Sequence, residues 1–271
     1  LWLLNWPICF TPQLRVSLLL KIKMVFMAKV IVGLLLGLLF SCAPNVEIDA
    51  GTLIQKTVTA HGWTSKPSKI NFDFRDFHYE VNRGAFGIQY SREKQDSLGV
   101  TKDVWTNFST FERTLNGQTV ALSDSLKMVY ANSLNSVLYF VQLPLGLQDQ
   151  AVIPSYEGVV EIDTEPYHQL AVTFKQEGGG EDFQDQFYYW IHSDRYEIDY
   201  MAYSYHTNGG GTRFRKVRSK NRVRGILFQD FDNYKPLEHP TPLERLPLLF
   251  QEGKLQWLSK IENLTIEVLN D

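Results

Sequence analysis

Lys69-Ile70-Asn71-Phe72-Asp73-Phe74-Arg75-Asp76-Phe77-His78-Tyr79-Glu80-Val81 decides the class of the fold. Ile70, Phe72 and Phe74 alternate with polar neighbours, the period of a strand with one face against a core. After Arg75-Asp76 the phase slips by one, and Phe77, Tyr79 and Val81 resume the alternation. A one-residue slip of this kind reads as a β-bulge, a device that curves a sheet.

Outward from this stretch the same period recurs. Phe86, Ile88 and Tyr90 alternate after Gly84, and strand-like runs follow at 103–112, 117–122, 157–163, 168–176, 183–193, 196–206, 212–218 and 222–231. Asn116-Gly117, Gly178-Gly179-Gly180 and Asn208-Gly209-Gly210-Gly211 are hairpin signals between them. Two segments carry the helical period instead. Asp49 is a candidate N-cap for a helix with Leu53, Ile54, Thr57 and Val58 on one face, stopped at His61-Gly62. Residues 124–143 place Leu126, Val129, Leu134, Val137, Leu138 and Val141 along a second helix, which Pro144 ends. The tail 242–260 is less regular, and 261–269 reads as a last strand. The expected fold is mainly β with helices (α+β): a single curved antiparallel half-barrel of about nine to eleven strands, capped by two or three helices. A sheet that large must curl, split or close, and the absence of βαβ alternation excludes a doubly wound α/β sheet.

The N-terminal segment differs in charge from the rest. Residues 1–42 hold four of the 27 basic residues and no acidic one, which leaves 23 against 30 acidic in 43–271, about −7. Lys29 precedes the apolar run Val30-Ile31-Val32-Gly33-Leu34-Leu35-Leu36-Gly37-Leu38-Leu39-Phe40, too short at 11 residues to span a bilayer, which takes about 20. A basic start, a short apolar run and a small residue before a cysteine describe a secretory signal. Leu39-Phe40-Ser41-Cys42 resembles the lipobox of bacterial lipoproteins, with Phe40 bulkier than usual. The expected organisation is therefore a start-site artefact at 1–23, a lipoprotein signal peptide at 24–41, the lipidated Cys42 with its tether at 42–49, and a single half-barrel domain at 50–271. The only cysteines are Cys9 and Cys42, so 43–271 forms no internal disulfide.

Catalytic motifs are missing. The histidines His61, His78, His168, His192, His206 and His239 are scattered, and no H-E-x-x-H pair, G-x-S-x-G elbow or phosphate-binding loop occurs. No cofactor and no metal site is expected. The carboxylate pairs Asp73/Asp76 and Asp182/Asp185 read as solvated surface. An enzyme would need a polar cluster such as His192, His206 and Asp199 to converge. Arg213, Arg215, Lys216, Arg218, Lys220, Arg222 and Arg224 form one basic stretch; an acidic exported domain argues against nucleic acid. That leaves a solvated hairpin face or, through Arg218, Lys220, Arg222 and Arg224, an attraction for anionic lipid head groups. Aromatic residues crowd 187–205. On 196–206, Tyr196, Ile198, Tyr200 and Ala202 share one face and Met201, Tyr203 and Tyr205 the other, so both faces are apolar. Such a strand is buried on two sides or lines a ligand cavity. Phe72, Phe74, Trp190, Tyr200, Tyr203 and Tyr205 are the candidate cavity residues.

With its lipobox, the Leu53–His61 helix ending in His61-Gly62, the Ile70–Val81 stretch and the Leu143-Pro144-Leu145 helix end before a long β-run, the chain resembles a group of small Gram-negative lipoproteins of unknown function. Their architecture is similar to the periplasmic lipoprotein-carrier (LolA-like) half-barrel, and the resemblance covers about 50–240. It implies an outer-membrane protein facing the periplasm, anchored to the membrane through a lipid on Cys42, that binds a lipid, an acyl chain such as palmitate, or another apolar small molecule. A carrier shuttle departs from a chain with its own anchor. A non-catalytic structural or interaction lipoprotein is the alternative, and an uncharacterised envelope enzyme the third. A deoxyribose-phosphate aldolase would need alternating βα units and a Schiff-base lysine, which the long β-runs contradict.

Overall fold

Arg75 and Asp76 turn the chain back on itself. The computed structural model, which describes residues 48–178, 183–206, 209–238 and 240–269, pairs Phe74 with Phe77 across a two-residue hairpin, with Arg75 at φ 54°. The expected bulge is thus a turn joining β1 (Lys69–Phe74) to β2 (Phe77–Gly84). A two-residue turn puts residues 74 and 77 on one face, which produces the same one-residue slip in the apolar pattern.

The remaining strands are β3 (Gly87–Asp96), β4 (Gly99–Thr106), β5 (Thr110–Leu115), β6 (Gln118–Thr119), β7 (Val152–Ile162), β8 (Glu165–Phe174), β9 (Gln186–His192), β10 (Ile198–Tyr205), β11 (Gly211–Val223), β12 (Ile226–Pro236), β13 (Leu255–Ile261) and β14 (Leu264–Leu269). They form two antiparallel ladders of seven, ordered β14-β1-β2-β3-β4-β5-β6 and β13-β12-β11-β10-β9-β8-β7, neither closed into a barrel. The mainly β, helix-capped half-barrel architecture holds, with fourteen strands in two ladders among the described residues. The extra strands come from places where the pattern was weak. Run 103–112 is broken at Asn107-Phe108, both at positive φ, β6 has two residues, and β13 lies in the irregular tail. The ladders adjoin in sequence at β13–β14, where Asn263 binds Asp230 and the Gln229 carbonyl of β12.

Helix α1 (Ala50–Ala60) begins where the Asp49 side chain accepts from the Thr52 amide, and it buries Leu53, Ile54, Thr57 and Val58 as its pattern requires. Gly62 follows at φ 80°, and a Cβ there would stand 2.1 Å from the Gly225 carbonyl oxygen, so only glycine fits between the helix end and the β11–β12 turn. Helix α2 (Asp124–Val141), capped by Ser123, buries Ala131, Leu134, Leu138 and Val141. Leu126 and Val129, expected on that face, are exposed. The first turns of α2 meet the first sheet through polar groups instead: Ser133 accepts from Arg92, and the Arg113 guanidinium lies 3.5 Å from the centre of the Tyr130 ring. Beneath them Asp103 is held by Arg92 at 2.8 Å and by Arg113 at 2.6 Å, almost wholly out of water.

One core joins both helices to residues of both sheets, among them Phe72, Tyr79, Leu134, Leu138, Leu170, Tyr189, Met201 and Phe228. A second core lies on the opposite face of the second sheet. There Trp190, Tyr200, Ala202 and Phe214 are covered by the 3-10 turn Leu243–Arg245 and helix α3 (Leu246–Gln251). Strand β10 is therefore buried on two sides. A bulge between Ile198 and Tyr200 swaps the phase, so Ile198 and Tyr196 pack in the first core rather than beside Tyr200.

The lipobox with Cys42, the segments 1–23 and 24–41, and most of the tether 42–49 lie outside the described residues, as do Gly179, Gly180, Asp182, Asn208 and His239. Among the described residues, no helix is long and apolar enough to cross a membrane.

Candidate functional site

The register of the second sheet lines up one row across its inner face. Leu170 pairs with Tyr189, Tyr189 with Met201, Met201 with Arg215, Arg215 with Asn233 and Asn233 with Ser259. Next to this row stands Val172-Phe187-Tyr203. Helix α2 lays Tyr139 and Phe140 over the two rows. Phe140 is 5.3 Å from Tyr203 and 6.4 Å from Phe187, ring centre to ring centre; Phe187 stands 5.4 Å from Tyr203 and 5.7 Å from Phe174. Phe187 and Tyr189 are buried, whereas Tyr139, Phe140, Phe174, Tyr203 and Tyr205 keep part of their surface in water. The field is thus deep on the strand side and open at its rim. Apolar contact with rings of this size is what retains a hydrocarbon chain.

Polar groups in the field are few. The Tyr139 and Tyr189 hydroxyls are 2.9 Å apart, and burial pushes the Tyr139 phenol up to about 12, so it stays neutral. Arg215 donates to the Tyr203 hydroxyl at 2.9 Å, and its guanidinium lies 3.8 Å from the centre of the Phe140 ring.

The six aromatic residues expected to line one cavity divide between two faces. Tyr203 and Tyr205 stand 6.1 Å apart on the inner side of the second sheet, and Tyr205 accepts from Arg213. Phe72 and Phe74 belong to the first sheet, Phe72 stacked at 5.1 Å on Tyr79. Trp190 and Tyr200 point the other way, into the core under α3, where the Trp190 indole donates to Gln169 and the Tyr200 hydroxyl to Asp163. Alternation along β9 and β10 separates them from Tyr189 and Tyr203. That outer face has an open cleft of about 420 Å3 lined by Tyr167, Asp199, Tyr200, Lys216, Arg218 and Lys220. Its charged groups are paired, Lys220 with Asp199, Lys216 with Asp163 and Arg218 with Asp232.

The basic stretch is also divided and mostly paired. Arg218 bonds Asp232, Lys220 bonds Glu197 and Asp199, and Arg222 bonds Glu197 and the Ala60 and Gly225 carbonyls. Arg224, in the left-handed turn at the hairpin tip, is exposed. The three polar residues that an enzyme would bring together do not meet. His192 lies against Glu165, His206 against Asp185, and Asp199 holds Tyr167, Arg195 and Lys220. Asp185, expected at the surface, is buried. Among the described residues, no group of three His, Cys, Asp or Glu is arranged to hold a metal ion.

Phe140 and Tyr139 were not legible as site residues because the helical pattern marked only Val137, Leu138 and Val141 around them. Arg215 was legible only as a member of the basic stretch. Its alternation with Phe214 and Lys216, which face α3, is the signal that sets it on the inner side.

Solved structures with a similar fold include a LolA superfamily protein from Nitrosomonas europaea, 11% identical, covering 83% of this chain and 94% of that one at a TM-score of 0.46. A DUF1329 family protein from Desulfovibrio piger is 9% identical over 81% of this chain and 93% of its own, at a TM-score of 0.37. The lipoprotein LppX of Mycobacterium tuberculosis is 11% identical over 70% and 96%, at 0.27. No curated protein matches the chain. The model of a family of unknown function (DUF6503) matches residues 28–263, and the chain belongs to that family.

Proposed function

We propose that this chain is a lipid-anchored protein of the bacterial cell envelope whose half-barrel holds an acyl chain or other apolar ligand against the inner face of its second sheet. The supporting observation is the aromatic field of Phe174, Phe187, Tyr189 and Tyr203 under Tyr139 and Phe140, with a partly solvated rim. A binding face presents half-exposed rings at its border to the ligand. The role is non-catalytic. In this reading residues 24–41 are a signal peptide, Cys42 carries the lipid, and 42–49 tether the domain 50–271 to the outer membrane on its periplasmic side.

The test is a purification of residues 43–271 with Cys42 left out, followed by mass spectrometry of whatever lipid accompanies it. A stoichiometric acyl lipid that disappears in Tyr203→Asp, a half-buried position, supports the reading. A folded protein that carries and takes up nothing contradicts it. Intact mass of the membrane-bound form is expected to begin at a lipidated Cys42.

A second reading, a structural or interaction lipoprotein, is favoured by one observation. Phe86 is 97% exposed at the β2–β3 turn, next to the half-exposed Phe108 of the neighbouring turn, the two turns being tied by the Asn107 side chain.

A further inference from the structure

Arg215 is a cation without a counter-ion among the described residues, inside the aromatic field. It is 7% exposed, and both its Nε and Nη1 are buried with no hydrogen-bond partner. Nη2 alone is engaged, by the Tyr203 hydroxyl. Across the row stand Met201 on one side and the neutral Asn233 on the other, whose own Oδ1 is buried and unpaired. The guanidinium also lies over three rings, at 3.8 Å from Phe140, 5.2 Å from Tyr203 and 6.0 Å from Phe231. The rings offset part of the cost of burying the charge but offer no acceptor to the two unmade N–H groups. The other buried arginine among the described residues, Arg92, shows how the chain satisfies such a group when it is structural: a carboxylate at 2.8 Å and a serine.

Resting on the ligand-binding reading, we infer that Arg215 is the anchor for an oxyanion at the head of the ligand, so that the half-barrel selects an acyl chain ending in a carboxylate or phosphate over a neutral one. Nη2 carries two hydrogens and the Tyr203 hydroxyl takes one of them, so one planar fork, Nε with Nη2 or Nη1 with Nη2, stays free to meet a carboxylate or phosphate with two parallel bonds, as Nε and Nη2 of Arg113 meet Asp103. The Tyr203 hydroxyl orients the guanidinium through one hydrogen of Nη2, and Phe140, whose ring covers the guanidinium, is the part of α2 that must give way. The chain of such a ligand then runs along Phe187 and Phe174, the rings next to Tyr203.

Matched amphiphiles test this on the purified full chain. Hexadecanoate, hexadecyl phosphate and hexadecanol share a hydrocarbon tail and differ at the head, so affinities are measured by calorimetric titration below their micellar range. Charge-assisted bonds of this kind predict about a tenfold to hundredfold preference for the anionic tails over the alcohol. In Arg215→Met the anionic tails fall to that variant's own affinity for hexadecanol, with a native-like urea transition showing that it is folded; in Arg215→Lys a part of the preference survives. Equal affinities in the native chain, or an unchanged preference in Arg215→Met, overturn the anchor and leave the apolar site standing. Binding of none of the three overturns both. Preference for the phosphate over the carboxylate, or the reverse, identifies the head group within the same proposal.

Discussion

Lowering the pH destabilises this fold through one histidine. His61 caps the C-terminus of α1 with no exposed surface, and its Nε2 accepts the Ile198 amide at 3.1 Å. Since Nε2 accepts, the hydrogen sits on Nδ1, which is buried without a partner among the described residues. Protonation would set an N–H against the Ile198 N–H and place a charge where water does not reach. Burial accordingly holds the imidazole down at about 4, against 6.5 in its ordinary state; Glu197 and Asp199 nearby favour the charge, and Lys220 and Arg222 oppose it. The folded value lies below the unfolded one, so the unfolded chain takes the proton first. The neutral imidazole's stabilisation is complete above about pH 7 and is lost as the pH falls through 6.5 towards 4. The full difference is about 3 kcal/mol, and about 2 kcal/mol of it is gone by roughly pH 5. Urea unfolding of the native chain and of His61→Gln, each at pH 7.5 and pH 5, isolates the effect. Glutamine accepts the same amide without titrating, and His168, which burial also lowers, cancels in the comparison. The native chain is expected to lose about 2 kcal/mol more than the variant. Equal losses would refute the argument.

Two further substitutions probe the frame around the site. Gly62→Ala drives a Cβ into the Gly225 carbonyl at positive φ, and a loss of about 2 kcal/mol or more is expected from strain and the displaced hairpin, read as a lower urea midpoint at unchanged slope. Asp103→Ala leaves Arg92 and Arg113 facing each other without their shared carboxylate, so unfolding free energy should fall by about 3–5 kcal/mol; a change within 1 kcal/mol would mean that the arginines find other partners.

Much of the architecture was legible in the sequence because alternation is imposed by burial. The α1 face, its Asp49 cap and its His61-Gly62 end follow from residue types alone. Where two local devices leave the same trace, the pattern could not choose. A two-residue turn at Arg75-Asp76 and a bulge both shift the phase by one. In β10 the converse occurs, since the bulge before Tyr200 hides which of two apolar faces holds Ile198. The site was half legible. Aromatic crowding at 187–205 marked the strands that carry the aromatic field, but composition does not say that Trp190 and Tyr203 look in opposite directions. Nor does a run of basic residues disclose that Arg218, Lys220 and Arg222 pair with Asp232, Asp199 and Glu197 while Arg215 turns inward with no carboxylate among the described residues. Those facts depend on register, which is set by contacts distant in the chain.

A photoreactive acyl chain tests the central claim most directly. Hexadecanoate carrying a diazirine near its end is bound to the purified chain, irradiated, and the adducts are located by mass spectrometry. Adducts on Phe140, Phe174, Phe187 and Tyr203, competed away by plain hexadecanoate, are expected. Adducts on Leu246, Phe250 or the outer-face cleft, on Phe86 and Phe108, or the absence of competable adducts would contradict it.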